Sequence, residues 1–512
     1  MAGAVEPASL GMEGIPGPVM EDSSDDTGMC DEIPVDRISD LREEIISHIL
    51  SFLPAESAVA TGLLSKKWRL HWTKVTSFHF DDRWWLEKGI SYYEKLGGST
   101  NFVDFVNMVL LLQNREVSMN CFRLSVSDPE FPFVYLKIWI TTAMARNIRV
   151  LELCMVPDTE YDDPDYPGGY AVDHEVYNDY EIYLPFPLYS CGTLEVLKLY
   201  GPIFTWVPHV VCLPRLTLLQ LHSIHYESNE SFHKLISGCP KLESLIIYRC
   251  HNDDIYDGIL DFSISSPVVK TLKYYHDFSM CEACDTNIAP DFKLQIDTPA
   301  LEYLSLEDTM SKEIIAVQEL ASLKEVEAIK AFYTSPGSIV ALFQAFYHVK
   351  ILDVSGEIME TLMEANKKWS ASFQRLIKLT VEIGHSQWSC LIDLINCCPT
   401  LEFLHVSTYL DSGSANRNCE RGPIIVPQCF SSSLTHVSYT GIRDLEDDDL
   451  TIFKFIVNNA LVLKRVRVRT TSSLDLGKKI GLLEKILVHC RLSPTCNISL
   501  RVDSFEMDSM NV

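Results

Sequence analysis

The sequence contains one pair of cysteines, Cys281 and Cys284, with the two-residue spacing that is typical of zinc sites. A structural zinc ion takes four nitrogen or sulfur ligands, commonly from two such pairs. The sequence has no second pair, and His276 is the nearest further ligand candidate. We therefore interpret the two cysteines as loop residues in preference to zinc ligands.

Motifs that carry catalytic chemistry are absent from the sequence. The glycines Gly14, Gly17, Gly97 and Gly98 lack the spacing and the lysine of a phosphate-binding loop. Neither G-x-S-x-G nor H-E-x-x-H occurs, and the 15 histidines are too scattered to single out a general base. The sequence therefore predicts a non-catalytic protein without a metal or cofactor. A small molecule bound by the chain stays an alternative for which no ligand set is visible.

The composition is that of a globular protein, since 47% of the 512 residues are hydrophobic and 22% are charged. The net charge of -27 disfavours a nucleic-acid or anionic-membrane partner, because phosphates are bound by clustered Lys and Arg. No apolar run reaches the roughly 18 residues of a membrane helix, and no secretory signal is visible. The 16 cysteines lie in apolar stretches as free thiols do, which predicts a cytoplasmic or nuclear protein.

The elements that organise the chain begin after an acidic tail. Residues 1–33 are rich in Gly, Pro, Ser, Asp and Glu, and we predict that they are disordered. Residues 34–72 are predicted to form three short helices. Asp40 and Glu43 have capping-box spacing at the first helix, which Pro54 is expected to end. Ser65 is placed to cap the third helix, and residues 77–82 alternate as a strand does.

The first helix has a wide apolar face, wider than a small helical unit can cover with its own residues. Leu41, Ile45, Ile49 and Leu53 recur every four residues, and Ile46, Leu50 and Phe52 broaden the face that they share. A helical unit of about 40 residues buries too little apolar surface to be stable alone. Another surface, of this chain or of a partner, is therefore expected to cover it.

From about residue 120 the sequence repeats the pattern Leu-x-x-Leu-x-Leu, with Ile or Val replacing Leu in some copies. The middle positions are Leu151, Leu197, Leu219, Leu245, Leu272, Leu304, Val326, Leu352, Leu379 and Leu404, with a weaker copy at Val437. From Leu197 to Leu404 they are 22 to 32 residues apart, enough for one strand and a returning helix or loop such as residues 231–239. The copies are expected to stack as parallel strands, because one unit cannot bury its own apolar face. The alternative is an α/β domain whose buried strands are leucine-rich.

Five copies place a proline two residues before the first Leu: Pro214, Pro240, Pro267, Pro299 and Pro399. We predict that each proline fixes the start of a strand without removing a needed hydrogen-bond donor. Residues 157–181 interrupt the repeats with a stretch that is rich in Tyr, Asp and Glu and has no Lys or Arg. This insertion is either a docking loop for a basic partner or a solvated loop, and its composition favours the solvated loop.

Residues 35–82 resemble an F-box followed by the strand that joins it to leucine-rich repeats. The matching positions are Asp36 to Ser39, Leu41, Ile45, Ile49, Leu50, Leu53, Pro54, Leu64 to Arg69 and Trp72. Arg42 departs from the pattern, since the family usually has proline there. Residues 424–470 resemble the FBD domain of many plant F-box/LRR proteins, through Val426 to Cys429, an expected helix at Leu450–Asn459, Leu461, Leu463 and Lys464.

These resemblances imply a plant F-box/FBD/LRR-repeat protein of the α/β class. The expected order is a three-helix F-box at residues 34–80, an irregular leucine-rich-repeat solenoid at 81–423, and an FBD-like αβ unit at 424–512 that caps the solenoid. The family implies a substrate receptor of an SCF-type cullin-RING ubiquitin ligase. Such a receptor binds a Skp-type adaptor, and through it a cullin, by the F-box, and it binds a protein target by the repeats.

The resemblance implies adaptor contacts by Leu41, Ile45, Ile49, Leu50, Leu53, Pro54, Val59, Leu64 and Trp68. The alternative is that some of these residues, Trp68 above all, form only an internal core. A scaffold or sequestering protein without a ligase role is the alternative function, which Arg42 and the acidic tail keep open. The target cannot be identified from the sequence, although residues 157–181 and 444–449 favour a basic one.

Overall fold

A computed structural model gives the fold of the chain. It describes residues 38, 41–66, 68–88, 101–127, 131–155, 182–250, 259–277, 291–364, 372–384, 387–409, 425–442, 447–470, 481, 484 and 496–502. The predicted disordered tail, Asp40, the 157–181 insertion and the pair Cys281 and Cys284 lie outside the described residues. No helix among the described residues is long and apolar enough to cross a membrane.

Parallel β-structure dominates the described chain. The strands are β1 (Ser77–Asp81), β2 (Cys121–Ser125), β3 (Val150–Cys154), β4 (Ile182–Tyr183), β5 (Val196–Tyr200), β6 (Ile203–Thr205), β7 (Leu218–His222), β8 (His225–Tyr226), β9 (Ser244–Cys250), β10 (Asp261–Ser265), β11 (Thr271–Asp277), β12 (Lys293–Asp297), β13 (Tyr303–Asp308), β14 (Glu313–Ala316), β15 (Glu325–Ala331), β16 (Ile351–Val354), β17 (Lys378–Ile383), β18 (Phe403–Thr408), β19 (His436–Ile442), β20 (Arg465–Thr470) and β21 (Asn497–Val502). Fifteen of them form one long parallel sheet, in the order β1-β2-β3-β5-β7-β9-β11-β13-β15-β16-β17-β18-β19-β20-β21.

Helices and short strands return the chain between the strands of the long sheet. The α-helices are α1 (Glu43–Leu50), α2 (Ala55–Ala60), α3 (Arg83–Glu87), α4 (Phe102–Leu112), α5 (Val134–Met144), α6 (Asn229–Ser237), α7 (Pro336–Ala345), α8 (Gly356–Glu364), α9 (Trp388–Asn396), α10 (Gln428–Ser432) and α11 (Asp447–Asn459). The 3₁₀-helices are Thr61–Leu63, Trp68–Lys74 and Phe186–Ser190.

The register of the long sheet follows the leucine pattern of the sequence. Leu197 pairs with Leu219, Leu219 with Leu245, and Leu245 with Leu272. The same row continues to Leu404 and Val437, and its members are nearly inaccessible to solvent. The stacked repeats thus share one continuous core, as predicted for a solenoid. Register shifts beside β15 confirm that the coil is irregular.

The five prolines lie in turns that precede the strands, and each is four residues before its strand begins. In the turn at Pro240, the Leu242 N–H donates to the Cys239 carbonyl at 3.1 Å, and equivalent bonds close the turns at Pro214, Pro299 and Pro399. Proline therefore occupies the second position of a β-turn, where its fixed φ suits the turn. The prolines thus lie at the entry to the strands and outside the hydrogen-bonded ladder, in agreement with the prediction.

The returning segments are more varied than the expected helix or loop. The segment 231–239 is helical in α6, which Ser228 caps by accepting a hydrogen bond from the Ser231 N–H. Elsewhere the chain returns through β4, β6 and β8 or through β10, β12 and β14, which form two additional three-stranded sheets. Short alternating apolar runs at these positions, such as DFSIS in β10, favour strands over helices.

The N-terminal helices differ from their predicted bounds. Helix α1 has Arg42 as its N-cap without a side-chain cap, and it ends at Leu50 instead of at Pro54. Leu53 donates from its N–H to the Leu50 carbonyl at 3.1 Å, so a tight turn ends the helix before proline is reached. Pro54 is the N-cap of α2. The third helix is a 3₁₀-helix, and the Ser65 Oγ accepts from the Trp68 N–H at 3.4 Å as predicted.

Both ends of the chain join the same long sheet. Strand β1, which follows the N-terminal helices, pairs in parallel with β2. At the other end, β19, α11 and β20 give the predicted order of strand, helix and strand, with the helix beginning at Asp447. Ile452, Phe453 and Ile456 of α11 are buried against the core. The terminal units thus extend the sheet and the core of the repeats.

Candidate protein-binding surfaces

Helix α1 carries two apolar stripes with different surroundings. Ile46 and Leu50 lie four residues apart and are 0% and 1% exposed. Ile45 and Ile49, also four residues apart, are 45% and 42% exposed. Residues four apart share a helix face, so one stripe packs inward and the neighbouring stripe faces solvent.

The inward stripe belongs to a small core that includes two members of the predicted adaptor set. Leu50 and Trp68 are buried and pack in the same cluster as Ala55, Ala58 and Trp72. This core is continuous with Phe78 of β1, so the helices rest on the first strand of the sheet. Leu50 and Trp68 therefore support the surface from within, which is the internal-core alternative for these two positions.

Further exposed apolar residues lie in the same helical region of the chain, at residues 52–64. From the predicted set, Pro54 and Leu64 are exposed, while Leu41, Leu53 and Val59 are half-buried against the core. Phe52 is 74% exposed and Leu63 is 89% exposed, and neither was among the predicted contacts. Phe52 was predicted to broaden the apolar face of the first helix, whereas Leu63, the last residue of the 3₁₀-helix Thr61–Leu63, was not predicted. The adaptor contact of the whole set stays a prediction.

An ion pair fixes α1 to the 3₁₀-helix Trp68–Lys74. The Lys74 Nζ donates to the Glu43 carboxylate. This hydrogen bond and the charge of Lys74 lower the pKa of Glu43 below its usual value. Glu43 was predicted to form a capping box with Asp40. It instead links α1 to the 3₁₀-helix Trp68–Lys74 within the helical unit of residues 43–74, which we call the package.

The second candidate surface is the open face of the long sheet, which we define as the side chains that alternate with the buried leucines. An aromatic row crosses its centre, with ring centroids 6.0 Å apart for Tyr200 and His222 and 5.0 Å apart for His222 and Tyr248. Tyr248 and Tyr275 stack at 4.3 Å. His222 and Tyr248 are buried, while Tyr200 and Tyr275 are half-buried. The four rings therefore pack against one another and expose only the two outer tyrosines in part.

Carboxylates cluster next to this row, on β15 to β17. Burial raises the pKa of Asp353 to about 6, and the charges of Glu327 and Glu382 act in the same direction. Burial also raises the pKa of Glu382. The open face therefore has an acidic region in its second half.

The solenoid interior contains one set of interacting ionisable groups. The Asp308 Oδ1 contacts His276 Nδ1 at 3.1 Å and accepts from the Met310 and Ser311 N–H groups at 3.0 and 2.8 Å. Arg249 donates to the Tyr274 hydroxyl at 3.1 Å and lies 4.5 Å from the Phe262 ring. Burial raises the pKa of Asp308, but His276 and the bonds from Ser311 outweigh it and hold the pKa below its usual value. The bonds that Asp308 accepts from Met310 and Ser311 hold the turn after β13.

A hollow of about 540 Å³ lies between α4 and α5. Asn107, Trp139, Thr142, Arg115 and Arg146 are among the residues that line it. No carboxylate, histidine or cysteine is among the lining residues that the structure describes. Among all the residues that the structure describes, no cluster of His, Cys, Asp or Glu has the geometry of a metal site.

Three family models match the chain in sequence order. The F-box domain model matches residues 38–80, the model for the LRR repeats of FBD-associated F-box protein At5g56370 matches residues 172–328, and the FBD model matches residues 422–468. The first covers the α1 surface. The second covers the long sheet from its fourth strand, β5, into its ninth strand, β15. The third covers β19 and most of β20. An F-box joined to leucine-rich repeats defines an F-box protein.

Relatives align over nearly the full length. The chain is 26% identical over 457 residues to the F-box/FBD/LRR-repeat protein At4g26340 of Arabidopsis thaliana, which covers 88% of this chain and 96% of the relative. It is 28% identical over 480 residues to the FBD-associated F-box protein At5g56380 of the same plant, covering 91% and 99%. The chain belongs to the plant F-box/FBD/LRR-repeat family.

Proposed function

We propose that the chain is the substrate receptor of an SCF-type cullin-RING ubiquitin ligase. The observation that supports this most directly is the outward apolar stripe of α1, with Ile45 45% and Ile49 42% exposed beside the exposed Phe52 and Leu64. An exposed apolar cluster on a helical package of this size indicates a protein interface. A Skp-type adaptor would cover it, and a cullin would be recruited through the adaptor.

In this role the chain performs no chemistry on ubiquitin. The adaptor holds one end of the chain, and the open face of the sheet holds the target near the ubiquitin-charged enzyme. The contribution to the reaction is the raised local concentration of the target. We further propose a cytoplasmic or nuclear location, because no disulfide bond joins the ten cysteines whose side chains the structure describes.

The test is capture of the purified full-length chain by a purified plant Skp-type adaptor. The variant Ile45→Ser, Ile49→Ser removes the outward stripe of α1 and leaves Ile46 and Leu50 in place. The matched control is Leu111→Ser, Leu112→Ser on α4, where the two leucines are 67% and 53% exposed. We expect capture of the intact chain and of the control but not of the α1 variant, with all three equally folded by circular dichroism.

A second step separates the ligase role from the scaffold role. The captured complex is mixed with purified cullin and RING subunits, and co-elution is measured by size-exclusion chromatography. Adaptor capture without cullin co-elution would favour the scaffold or sequestering function. No capture of the folded chain would remove the basis of the ligase proposal.

A further inference from the structure

The strand β20 places three arginines in a row on the open face. Arg465, Arg467 and Arg469 are exposed, whereas Val466 and Val468 between them are fully buried. Successive side chains of a strand point to opposite faces, and residues two apart are separated by about 6.6 Å. The three side chains therefore form a row about 13 Å long, in a chain whose net charge is -27.

Neighbouring strands add further cationic and aromatic groups to this row. Lys378 of β17, His405 of β18 and His436 of β19 line a hollow of about 420 Å³ together with the three arginines. Phe403, 39% exposed, stacks on His436 with the ring centroids 4.6 Å apart. We call the six residues Lys378, His405, His436, Arg465, Arg467 and Arg469 the arginine patch.

Burial and nearby positive charges lower the pKa values of both histidines in the arginine patch. Burial lowers the pKa of His405, and the charges of Arg469 and Lys378 lower it further. Burial and the charges of Arg465, Lys464 and Arg467 likewise lower the pKa of His436, while Glu402 has the opposite effect. The local field is therefore positive despite the acidity of the whole chain.

Several other cations of the open face are paired with carboxylates of adjacent strands. Arg123 lies 3.2 Å from Glu152, Lys198 lies 3.8 Å from Glu152, and Lys330 lies 2.8 Å from Glu307. In the described part of the chain, no carboxylate lies within 4.0 Å of Lys378 or of the three arginines of β20. The arginine patch therefore presents a cluster of cations that the described carboxylates do not neutralise.

We propose that the arginine patch binds an extended, carboxylate-rich segment of the target protein, with acidic residues at alternate positions. An extended segment has the same two-residue period as β20, so alternate glutamates place one carboxylate opposite each arginine. Arginine pairs with carboxylates through two parallel hydrogen bonds, which favours this match. This inference rests on the proposed receptor function. It adds the chemical class of the target segment that binds at one end of the sheet.

The size of the arginine patch favours a peptide over a nucleic acid. A nucleic-acid strand longer than the row of about 13 Å would place its further phosphates against the surface of a molecule with a net charge of -27. Phosphate binding gains affinity from many neutralised charges, and the row supplies few. A short acidic segment places its charge where the cations are and is repelled elsewhere.

The experiment is fluorescence anisotropy of a labelled peptide, S-E-S-E-S-E-S, titrated with the full-length chain. The variant Arg465→Glu, Arg467→Glu, Arg469→Glu reverses the row. The control Arg149→Glu, Lys270→Glu, Lys324→Glu makes the same change in net charge at exposed residues that are already paired with Glu195, Glu243 and Glu302. We expect the intact chain and the control to bind equally and the β20 variant to bind at least about tenfold more weakly.

Two further peptides test the spacing. A peptide with the three glutamates adjacent, and one with glutamines instead, should bind more weakly than the alternating peptide. Binding should also weaken between 50 mM and 500 mM salt, because exposed charges are screened. Equal affinity for the adjacent and alternating peptides would contradict the proposed register.

Other outcomes would overturn the assignment. An equal loss of peptide affinity in the control variant would show that only the net charge matters. If the intact chain binds a single-stranded oligonucleotide more tightly than the peptide, the patch is a nucleic-acid site. A dimer that the β20 substitutions dissociate would assign it to a second copy of the chain. Adaptor capture by the β20 variant should be unchanged. If the intact chain captures the adaptor but does not bind the alternating peptide, this site is refuted and the receptor function stands.

Discussion

The F-box package (the helices and 3₁₀-helices of residues 43–74) and the repeat sheet differ in how completely their apolar side chains are buried. In the sheet, residues such as Leu272 and Leu304 are fully buried because each repeat covers its neighbour. In the package, α1 buries Ile46 but leaves Ile45 45% exposed. The repeats are thus completed within the chain, whereas the package has apolar surface left for a partner. Substitutions should therefore reduce stability in the sheet and reduce binding in the package.

The largest expected effect on stability is in the middle of the sheet. Leu304→Ala removes a fully buried side chain that lies between Leu272 and Val326 in the sheet register. We expect a loss of about 2–5 kcal/mol in the free energy of unfolding, from lost burial and the cavity left behind. Urea denaturation followed by circular dichroism measures this. A loss below about 1 kcal/mol would show that the repeats do not share a close-packed core.

A smaller effect is expected for the buried polar turn after β13. Asp308→Ala leaves His276 Nδ1 and the Met310 and Ser311 N–H groups without the acceptor that holds them. We expect a loss of about 1–3 kcal/mol in the free energy of unfolding, because unsatisfied buried donors are costly. Asp308→Asn keeps an acceptor oxygen and should lose less. If both variants unfold at the same urea concentration as the intact chain, the turn does not depend on this carboxylate.

Asp353 gives a prediction that depends on pH. Its pKa is raised to about 6 in the fold, so the folded chain favours the protonated form. That preference stabilises the fold fully below pH ~4, near the usual pKa of the group, and is lost as the pH rises through 6. Asp353→Asn should therefore raise stability at pH 8 by about 1 kcal/mol, after allowance for solvent screening.

Thermal melts at pH 4 and pH 8 check the Asp353 prediction. The gain should be present at pH 8 and absent at pH 4. Glu44→Gln, at an exposed position of α1, is the matched control in the other region and should show no such difference. An equal gain at both pH values would mean that ionisation of Asp353 is not the cause.

The smallest expected effect on stability lies in the package. Ile45→Ala and Ile49→Ala remove side chains that are already largely in water. Each should change the free energy of unfolding by less than about 0.5 kcal/mol, the usual range for exposed positions. Melting of the free chain provides the measurement. A loss above about 2 kcal/mol would mean that this stripe is covered by the chain itself, which would erase the contrast with the sheet.

The register of the repeats could be predicted closely from the sequence. The middle leucines of the pattern are the residues that pair across neighbouring strands, from Leu151 with Leu197 to Leu379 with Leu404. The pattern succeeds because a buried strand position accepts few residue types, and the same constraint returns in every copy. The bounds of α1 were less predictable, since a local turn at Leu53 ends the helix before Pro54.

The binding surfaces were predictable only in part. The apolar period identified α1 as an unusually wide face, but it could not separate Leu50, which is 1% exposed, from Ile49, which is 42% exposed. Ile49 and Leu50 are both aliphatic, and the packing of α1 on the rest of the helical unit, including the 3₁₀-helix Trp68–Lys74, decides which of them is covered. The arginine patch was missed because Lys378, His405 and Arg467 are far apart in the chain.

The sequence by itself determined the order of the three regions, the parallel stacking of the repeats and the composition of their core. These follow from local patterns, because each repeat presents the same apolar positions and each F-box or FBD segment has its own signature. Tertiary structure alone decided which side of α1 faces solvent and which charges meet on the open face. Both depend on neighbours that are distant in the chain: β17 to β20 bring together cations from residues 378 to 469, and only the sheet register places them side by side.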